Sequence, residues 1–112
     1  MDDPHFAPLG VLEEQVLVAV LRIPGEAYGM QVRREIERIT GRELAIGAVY
    51  ATLDRLEEKK LATSKRVHAD ASSRRLFEVS PLGARALAET RAMRDRLWQG
   101  IDLRKLMVPA RS

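Results

Sequence analysis

The chain has 112 residues, 46% of them apolar and 31% charged, a balance typical of a folded globular domain and not of a disordered one. That length fits one domain, which leaves no room for a separate catalytic domain beside a binding domain. A net charge of +3 permits a polyanionic partner, and the absence of Cys excludes disulfides, thiol nucleophiles and cysteine-rich zinc sites.

The first predicted elements are a flexible arm and an apolar helix. Residues 1–8 carry two prolines and two aspartates before any periodic pattern, and they lack the basic and apolar stretches of a signal peptide. The longest apolar run, 16–21, is far shorter than the roughly 20 residues of a membrane span. We therefore expect a cytoplasmic protein. Residues 9–22 keep helical spacing and are apolar nearly all round, which favours burial against a second chain.

Two further helices are predicted around a short turn. A Pro-Gly turn at 23–26 precedes a helix over 28–40, which Gly41 ends as the residue after the cap. The next helix spans 46–60. Its predicted buried residues, at helical spacing, are Ile46, Val49, Leu53 and Leu56. The other face is predicted to carry small residues, an aromatic flank and one cation: Ala48, Ala51, Thr52, Tyr50 and Arg55.

A hairpin and a last helix complete the chain. Strands are predicted over 62–67 and 74–79, joined by a polar link at 68–73. Ser80-Pro81 is a strong helix start, and the last helix is expected to reach at least Trp98, with Gly100 as a point of fraying or kinking. The predicted division is an arm (1–8), a winged helix-turn-helix domain (9–80), a dimerisation helix (81–108) and a tail (109–112).

The order α-α-α-β-β-α predicts a mainly α fold, a winged helix-turn-helix with a β wing and a dimerisation helix. A helix with a small-residue face can enter a DNA major groove about 12 Å wide while flanking cations hold phosphates. Small exposed residues are also ordinary helix formers, and a charge cluster is often a solvated face. Two basic clusters beside one such helix favour DNA. One is on the preceding helix and consists of Arg33 and Arg34; the other surrounds the hairpin and consists of Lys59, Lys60, Lys65, Arg66, Arg74 and Arg75.

Four segments resemble the PadR-like family of transcription regulators, in its short form with one helix after the wing. They are LGVLEEQVL at 9–17, EAYG at 26–29, GAVYATLDRLE at 47–57 and RRLFEVSPLG at 74–83. The resemblance implies a homodimeric winged-helix repressor whose recognition helix carries Tyr50, with Tyr28 supporting the preceding helix. It also implies that Arg74 and Arg75 reach phosphates or the minor groove.

The chain departs from the family pattern at three places. Ala45 and Ile46 offer no side-chain oxygen to cap the recognition helix. Ser72-Ser73 stand where the family often has glycine, and Leu76-Phe77 replace a usual tyrosine pair.

These interpretations predict three sets of site residues, and they predict neither a cofactor nor a metal. The DNA-binding set is Tyr28, Arg33, Arg34, Ala48, Tyr50, Ala51, Thr52, Arg55, Lys65, Arg74 and Arg75. The dimer set, through the first and last helices, is Leu12, Val16, Ala86, Met93, Leu97 and Ile101. Trp98 is either dimer core or the wall of a pocket for a planar hydrophobic effector.

The predicted function is a ligand-responsive repressor that binds a pseudo-palindromic operator in double-stranded DNA as a homodimer. Two alternatives remain at this point, a winged-helix protein-interaction module and a ligand-carrying dimer. The sequence has no phosphate-loop, zinc-protease or serine-elbow motif, and His5 and His68 are isolated, so we do not expect an enzyme.

Overall fold

The computed structural model describes residues 8–69 and 72–108. Its elements are α1 (Val11–Arg22), α2 (Gly29–Thr40), α3 (Ile46–Glu58), β1 (Ala62–Ala69), β2 (Ser72–Val79) and α4 (Pro81–Trp98). The predicted α-α-α-β-β-α order is confirmed. Residues 1–7 of the predicted arm, residues 70 and 71 of the wing link and the tail 109–112 lie outside the described residues.

The start of α1 is fixed by a side chain from its own first turn. Gly10 is the N-cap, and its N–H donates to the Glu13 carboxylate over 2.9 Å. The negative charge of Glu13 also lies at the positive end of the helix dipole. The helix begins at Val11, two residues later than predicted, because Leu9 and Gly10 are extended or capping residues.

The turn between α2 and α3 is set by Gly41 and Glu37. Gly41 has φ 73°, the left-handed conformation that favours glycine, and its N–H donates to the Glu37 carbonyl over 2.9 Å. The Glu37 carboxylate accepts the N–H of Leu44 over 2.7 Å, which directs the chain into α3. At the start of α3, Ala45 makes no side-chain capping bond, as its sequence predicts.

One hydrophobic core lies where α1, α2, α3 and the hairpin meet. Phe77 of β2 enters it from the hairpin and is 2% exposed. Its helical members include Val16, Leu17, Val20, Val32, Ile36, Val49, Leu53 and Leu56. Because α3 packs here through its apolar face, the opposite face of the helix is left to solvent.

The wing is an antiparallel hairpin in register from Ala62 opposite Val79 to Ala69 opposite Ser72. Each strand is two residues longer than predicted, because backbone pairing continues through residues with little intrinsic strand preference. The other edge of β2 also pairs with the chain before α2, where the Phe77 N–H donates to the Ala27 carbonyl over 2.9 Å.

The predicted start of α4 is confirmed, and its predicted extension to 108 is wrong. Ser80 Oγ accepts the N–H of Gly83 over 3.0 Å and donates to the Lys60 carbonyl over 2.7 Å. The helix ends at Trp98, because Gly100 takes φ 80° and turns the chain away. Residues 101–108 contain turns and no helix.

Candidate nucleic-acid interface

The exposed face of α3 has the predicted small residues at its centre. Ala48 and Ala51 are exposed, whereas Val49 and Leu53 on the other side are fully buried. The Tyr50 side chain lies on the flank of this face with its ring against Gly29 of α2. The backbone of α3 can therefore come close to a flat or grooved partner.

Thr52 was predicted on this exposed face, and that placement is wrong. The residue is 1% exposed, and its hydroxyl donates to the Ala48 carbonyl over 2.8 Å. Position 52 is three residues after Val49 and four before Leu56, so it falls on the same buried stripe. The side chain belongs to the core and cannot reach a partner of α3.

A basic cleft of 460 Å³ lies between the start of α2, the flank of α3 and the wing. Its polar lining is dominated by cations and aromatic hydroxyls, and its lining residues are Tyr28, Met30, Gln31, Arg34, Tyr50, Arg66, Arg74 and Arg75. Five of these belong to the predicted DNA-binding set: Tyr28, Arg34, Tyr50, Arg74 and Arg75. The structure thus brings residues from three distant segments of the sequence to one concave surface.

Three residues of this cleft are outside the predicted DNA-binding set. Met30 and Gln31 follow Tyr28 in the first turn of α2 and carry no charge that would single them out. Arg66 stands directly opposite Arg75 in the hairpin register. The sequence already places Arg66 in the basic cluster of the hairpin, but only the register shows that it shares a face with Arg75, because opposed residues lie on the same face.

Tyr28 joins the wing to α2. It is the N-cap residue of α2, and its N–H donates to Gln31 Oε1 over 3.0 Å. The Arg74 guanidinium lies 5.2 Å from the centre of its ring, and its hydroxyl donates to Glu26 over 3.0 Å. This hydrogen bond to Glu26 raises the pKa of the Tyr28 hydroxyl above its ordinary value, so the group stays a neutral donor.

The remaining predicted cations fall into two groups. Arg55 and Lys65 are exposed on α3 and β1, and Arg55 Nε lies 3.7 Å from the Glu13 carboxylate. Arg33 does not line the cleft, unlike its neighbour Arg34. Its Nε lies 3.8 Å from Glu37 one turn along α2, with no hydrogen-bond partner.

Arg75 differs from Arg74 in its partners. Its guanidinium pairs with Asp54 and Glu57 of α3 over 2.8 and 2.6 Å. Only 24% of the side chain is exposed. The predicted wing arginines therefore have different surroundings, one over an aromatic ring and one between two carboxylates.

A buried carboxylate connects α1 to the last turn of α3. Glu13 Oε2 accepts a hydrogen bond from Lys59 Nζ over 2.7 Å. Burial raises the pKa of the Glu13 carboxyl, but hydrogen bonds from Lys59 and Gly10 and the charges of Lys59 and Arg55 outweigh it and hold the pKa below its ordinary value. The ionised carboxylate thus fixes the end of the exposed helix against α1.

Two residues of the predicted dimer set are buried in their own chain. Val16 is fully buried in the core and Ala86 is 5% exposed, so neither side chain is available to a second chain. Helical spacing marks apolar faces but does not tell an intramolecular face from an intermolecular one. This part of the prediction is wrong.

The other members of the dimer set are at least partly accessible. Leu12 and Met93 are half-buried, and Leu97 and Ile101 are 69% and 56% exposed. Trp98, the last residue of α4, is 51% exposed. Further exposed apolar side chains lie outside the predicted dimer set, and they include Val11, Leu21, Ile39, Leu106, Met107 and Val108.

Neither a metal centre nor a membrane segment is found in residues 8–69 and 72–108. These residues contain no group of three His, Asp or Glu side chains placed to hold a metal ion. None of the helices described there combines the length and the apolar character that crossing a bilayer requires.

Comparison with known proteins finds one family and several similar structures. Residues 16–89 match the profile of the transcriptional regulator PadR-like family. The chain is also 33% identical over 72 residues to the transcriptional regulator Rv3488 of Mycobacterium tuberculosis, a match that covers 64% of this chain. The match spans 66% of that curated relative, just under two thirds of its length.

Solved structures share the fold at lower identity. A PadR family transcription regulator from Clostridium difficile R20291 superposes with a TM-score of 0.67 and 18% identity, covering 88% of this chain and 100% of that one. The RosR protein of H. salinarum gives a TM-score of 0.64 and 20% identity, covering 88% and 84%. At these identities the likeness shows the fold alone.

Proposed function

This chain belongs to the PadR-like family of transcriptional regulators, and from that premise we propose that it is a sequence-specific repressor that binds its operator as a homodimer. The observation that carries the proposal is the position of the small exposed face of α3 beside the basic cleft. One element offers a close approach to base edges, and the other offers cations for phosphates.

The role of α3 in this proposal is to enter the major groove. Ala48 and Ala51 keep its exposed face narrow, so its backbone can approach a groove about 12 Å wide. Tyr50 and Arg55 flank this face with groups that hydrogen-bond bases or phosphates. Thr52 takes no part, because its hydroxyl is bonded inside the helix.

The basic cleft and the wing would hold the sugar-phosphate backbone. Arg34 on α2 and Arg74 on the wing reach the same cleft from opposite sides. Phosphate contacts fix the orientation of a protein on the duplex and release counterions, so binding should weaken as salt rises. Lys65 and Arg33 lie outside the cleft and would contribute long-range attraction only.

Dimerisation would place two α3 helices on successive major grooves. Leu97, Trp98 and Ile101, at and just after the end of α4, are three large apolar side chains that are each more than half exposed. Large exposed apolar patches on a small domain mark interaction sites, and a second copy is the partner that a two-fold operator requires. In this proposal residues 9–80 form the domain that binds DNA, and the segment from residue 81 onward binds the second copy of the chain.

The most specific part of the proposal is a response to a small-molecule ligand. Trp98 offers a half-exposed aromatic face at the end of α4, where a planar hydrophobic effector would stack and change the spacing of the two α3 helices. We further propose that the protein acts in the cytoplasm and has no enzymatic activity. The cation-rich cleft argues against the protein-interaction alternative, because the core of a protein-docking surface is usually depleted of charge.

The test of this proposal is selection of bound duplexes from a randomised DNA pool by the full chain. The proposal expects enrichment of an inverted repeat whose half-sites are centred about 10–10.5 base pairs, or a multiple of that, apart. If no sequence were enriched, the protein would bind DNA only non-specifically, which would contradict the proposed sequence-specific repressor. Enrichment of a single half-site would contradict the dimer.

A further inference from the structure

Arg75 connects the wing to the exposed helix through two carboxylates. Its Nη1 donates to Asp54 Oδ1 over 2.8 Å, and its Nη2 donates to Glu57 Oε1 over 2.6 Å. Asp54 and Glu57 lie three residues apart on α3, so one guanidinium spans nearly a full turn of the helix. Because the guanidinium is planar with donors in a fixed fork, this pairing fixes a direction as well as a distance.

The surroundings of Arg75 hold the pair in place. Its guanidinium carbon lies 4.8 Å from the centre of the Phe77 ring, which is part of the core. The Ser64 hydroxyl of β1 donates to the other oxygen of Glu57 over 2.7 Å. Both strands of the wing therefore bind one carboxylate of α3.

The ion pairs of Arg75 also balance the charges of the residues around it. Arg66 stands directly opposite Arg75 in the hairpin, and like charges at opposed positions destabilise a strand pair. Asp54 and Glu57 offset this repulsion. In return, Arg75 neutralises two carboxylates on α3 that would otherwise repel a phosphate backbone.

We infer that Arg75 is a positioning residue, which fixes the wing against the recognition helix, and that it makes no phosphate contact of its own. This inference rests on the proposed DNA-binding function and reassigns a residue that the family resemblance places on the DNA. A phosphate contact would require Arg75 to leave two ion pairs and a ring, and it would expose Asp54 and Glu57 to the same phosphates. Arg74, the preceding residue on the strand, is exposed on the cleft and would carry the phosphate contact of the wing.

The test on DNA counts phosphate contacts from the slope of log K against log salt. Arg74→Gln should reduce the magnitude of this slope by about one per chain. The double variant Arg74→Gln/Arg75→Gln should reduce the slope by no more than Arg74→Gln alone, because the two arginines together make only one phosphate contact per chain. A reduction of about two per chain in the double variant would overturn the inference.

The test without DNA compares hydrogen exchange of the hairpin amides in the free protein. Arg75→Gln should make the amides of β1 and β2 exchange faster than Arg74→Gln does, because Arg75 loses two ion pairs to α3 and Arg74 loses only its contact with the Tyr28 ring. Glu57→Gln breaks the same pairing from the α3 side and should also speed exchange, with no additive increase when combined with Arg75→Gln. Unchanged exchange in the Arg75→Gln and Glu57→Gln variants would overturn the inference. Because this measurement uses no DNA, it decides the role of Arg75 even where the proposed function fails.

Discussion

The ring of Tyr50 on α3 lies directly on Gly29, the first residue of α2. A Cβ atom at position 29 would come within 2.5 Å of two ring carbons of Tyr50 and 2.7 Å of its hydroxyl oxygen. No side chain fits there while the ring keeps its place. Gly29 thus allows the close packing that orients Tyr50 along the flank of the exposed helix.

Gly29→Ala should therefore displace Tyr50 and weaken selective DNA binding with little loss of stability. The ring is the far end of a side chain that is 37% exposed, so it can swing out at low cost, and alanine suits a helix better than glycine. The measurement is operator affinity and thermal unfolding of Gly29→Ala, Tyr50→Ala and the double variant. If the effect acts through Tyr50, the double variant binds no worse than Tyr50→Ala, whereas additive losses would contradict this explanation.

Glu13→Gln should destabilise the protein at neutral pH by about 1.5–3 kcal/mol, the range for hydrogen bonds to a charged group. The folded protein holds the pKa of Glu13 below the ordinary value of 4.5. The stabilisation from ionised Glu13 is therefore fully present above about pH 4.5 and is lost as the pH falls through the folded pKa. Denaturant unfolding of both proteins across pH should show curves that converge at acid pH. Glu43→Gln, at an exposed glutamate, is the control and should change the free energy of unfolding at neutral pH little.

Gly83→Ala should destabilise the fold strongly, by about 1–3 kcal/mol or more. A Cβ at position 83 would lie 2.0 Å from the Leu61 carbonyl oxygen, a backbone atom that cannot move aside as a side chain can. The matched control is Gly47→Ala, where a Cβ meets open space, and this change should raise helix stability slightly. Urea unfolding compares the two, and equal midpoints would show that the start of α4 does not pack as closely on Leu61, between α3 and β1, as described.

The sequence predicted well those features that are set by local chemistry. Ser80-Pro81 and Gly41 each carry their own start or stop signal, so the ends they mark were predicted to within a residue. Gly100 was interpreted as a point of fraying or kinking, whereas in the structure the helix ends just before it. Apolar spacing alone does not maintain a helix past a residue in the left-handed conformation.

The sequence predicted less well those features that depend on which partner a side chain meets. Thr52 is small and polar, yet it lies on the buried stripe of α3, where the Ala48 carbonyl accepts its hydroxyl proton and offsets the cost of burying that group. Val16 and Ala86 were predicted from apolar spacing, which is the same for a core and for a dimer face. Arg75 and Arg74 are adjacent and identical in type, and only the hairpin register and the position of α3 give them different partners.

Leu97→Asp should convert the dimer into monomers. Leu97 is 69% exposed near the end of α4, so an aspartate there costs the single chain little but places a charge in the proposed apolar interface. Sedimentation at micromolar concentration should give twice the chain mass for the original protein and the chain mass for the variant. Met30→Asp replaces another exposed apolar residue, away from α4, and should remain dimeric. If the Leu97→Asp variant remained dimeric, the dimer interface would not include the end of α4.

Ala51→Glu should abolish operator binding while the protein folds normally. Ala51 is exposed opposite the buried Val49 and Leu53, so the change should stay within the roughly ±0.5 kcal/mol of surface substitutions. The glutamate would place bulk and negative charge against the groove and the phosphates. Ala51→Ser keeps the small size and should bind within a few-fold of the original protein. If Ala51→Glu bound the operator as tightly as the original protein, α3 would not contact the DNA.

The most direct test of the central claim, that this chain reads a DNA sequence, is the ratio of two dissociation constants. The full chain is titrated at physiological salt onto the duplex recovered by selection and onto a scrambled duplex of the same composition and length. The account predicts binding to the selected duplex that is tighter by a factor of at least about 10³, the lower end for specific DNA-binding proteins. Equal affinity for the two duplexes would contradict it.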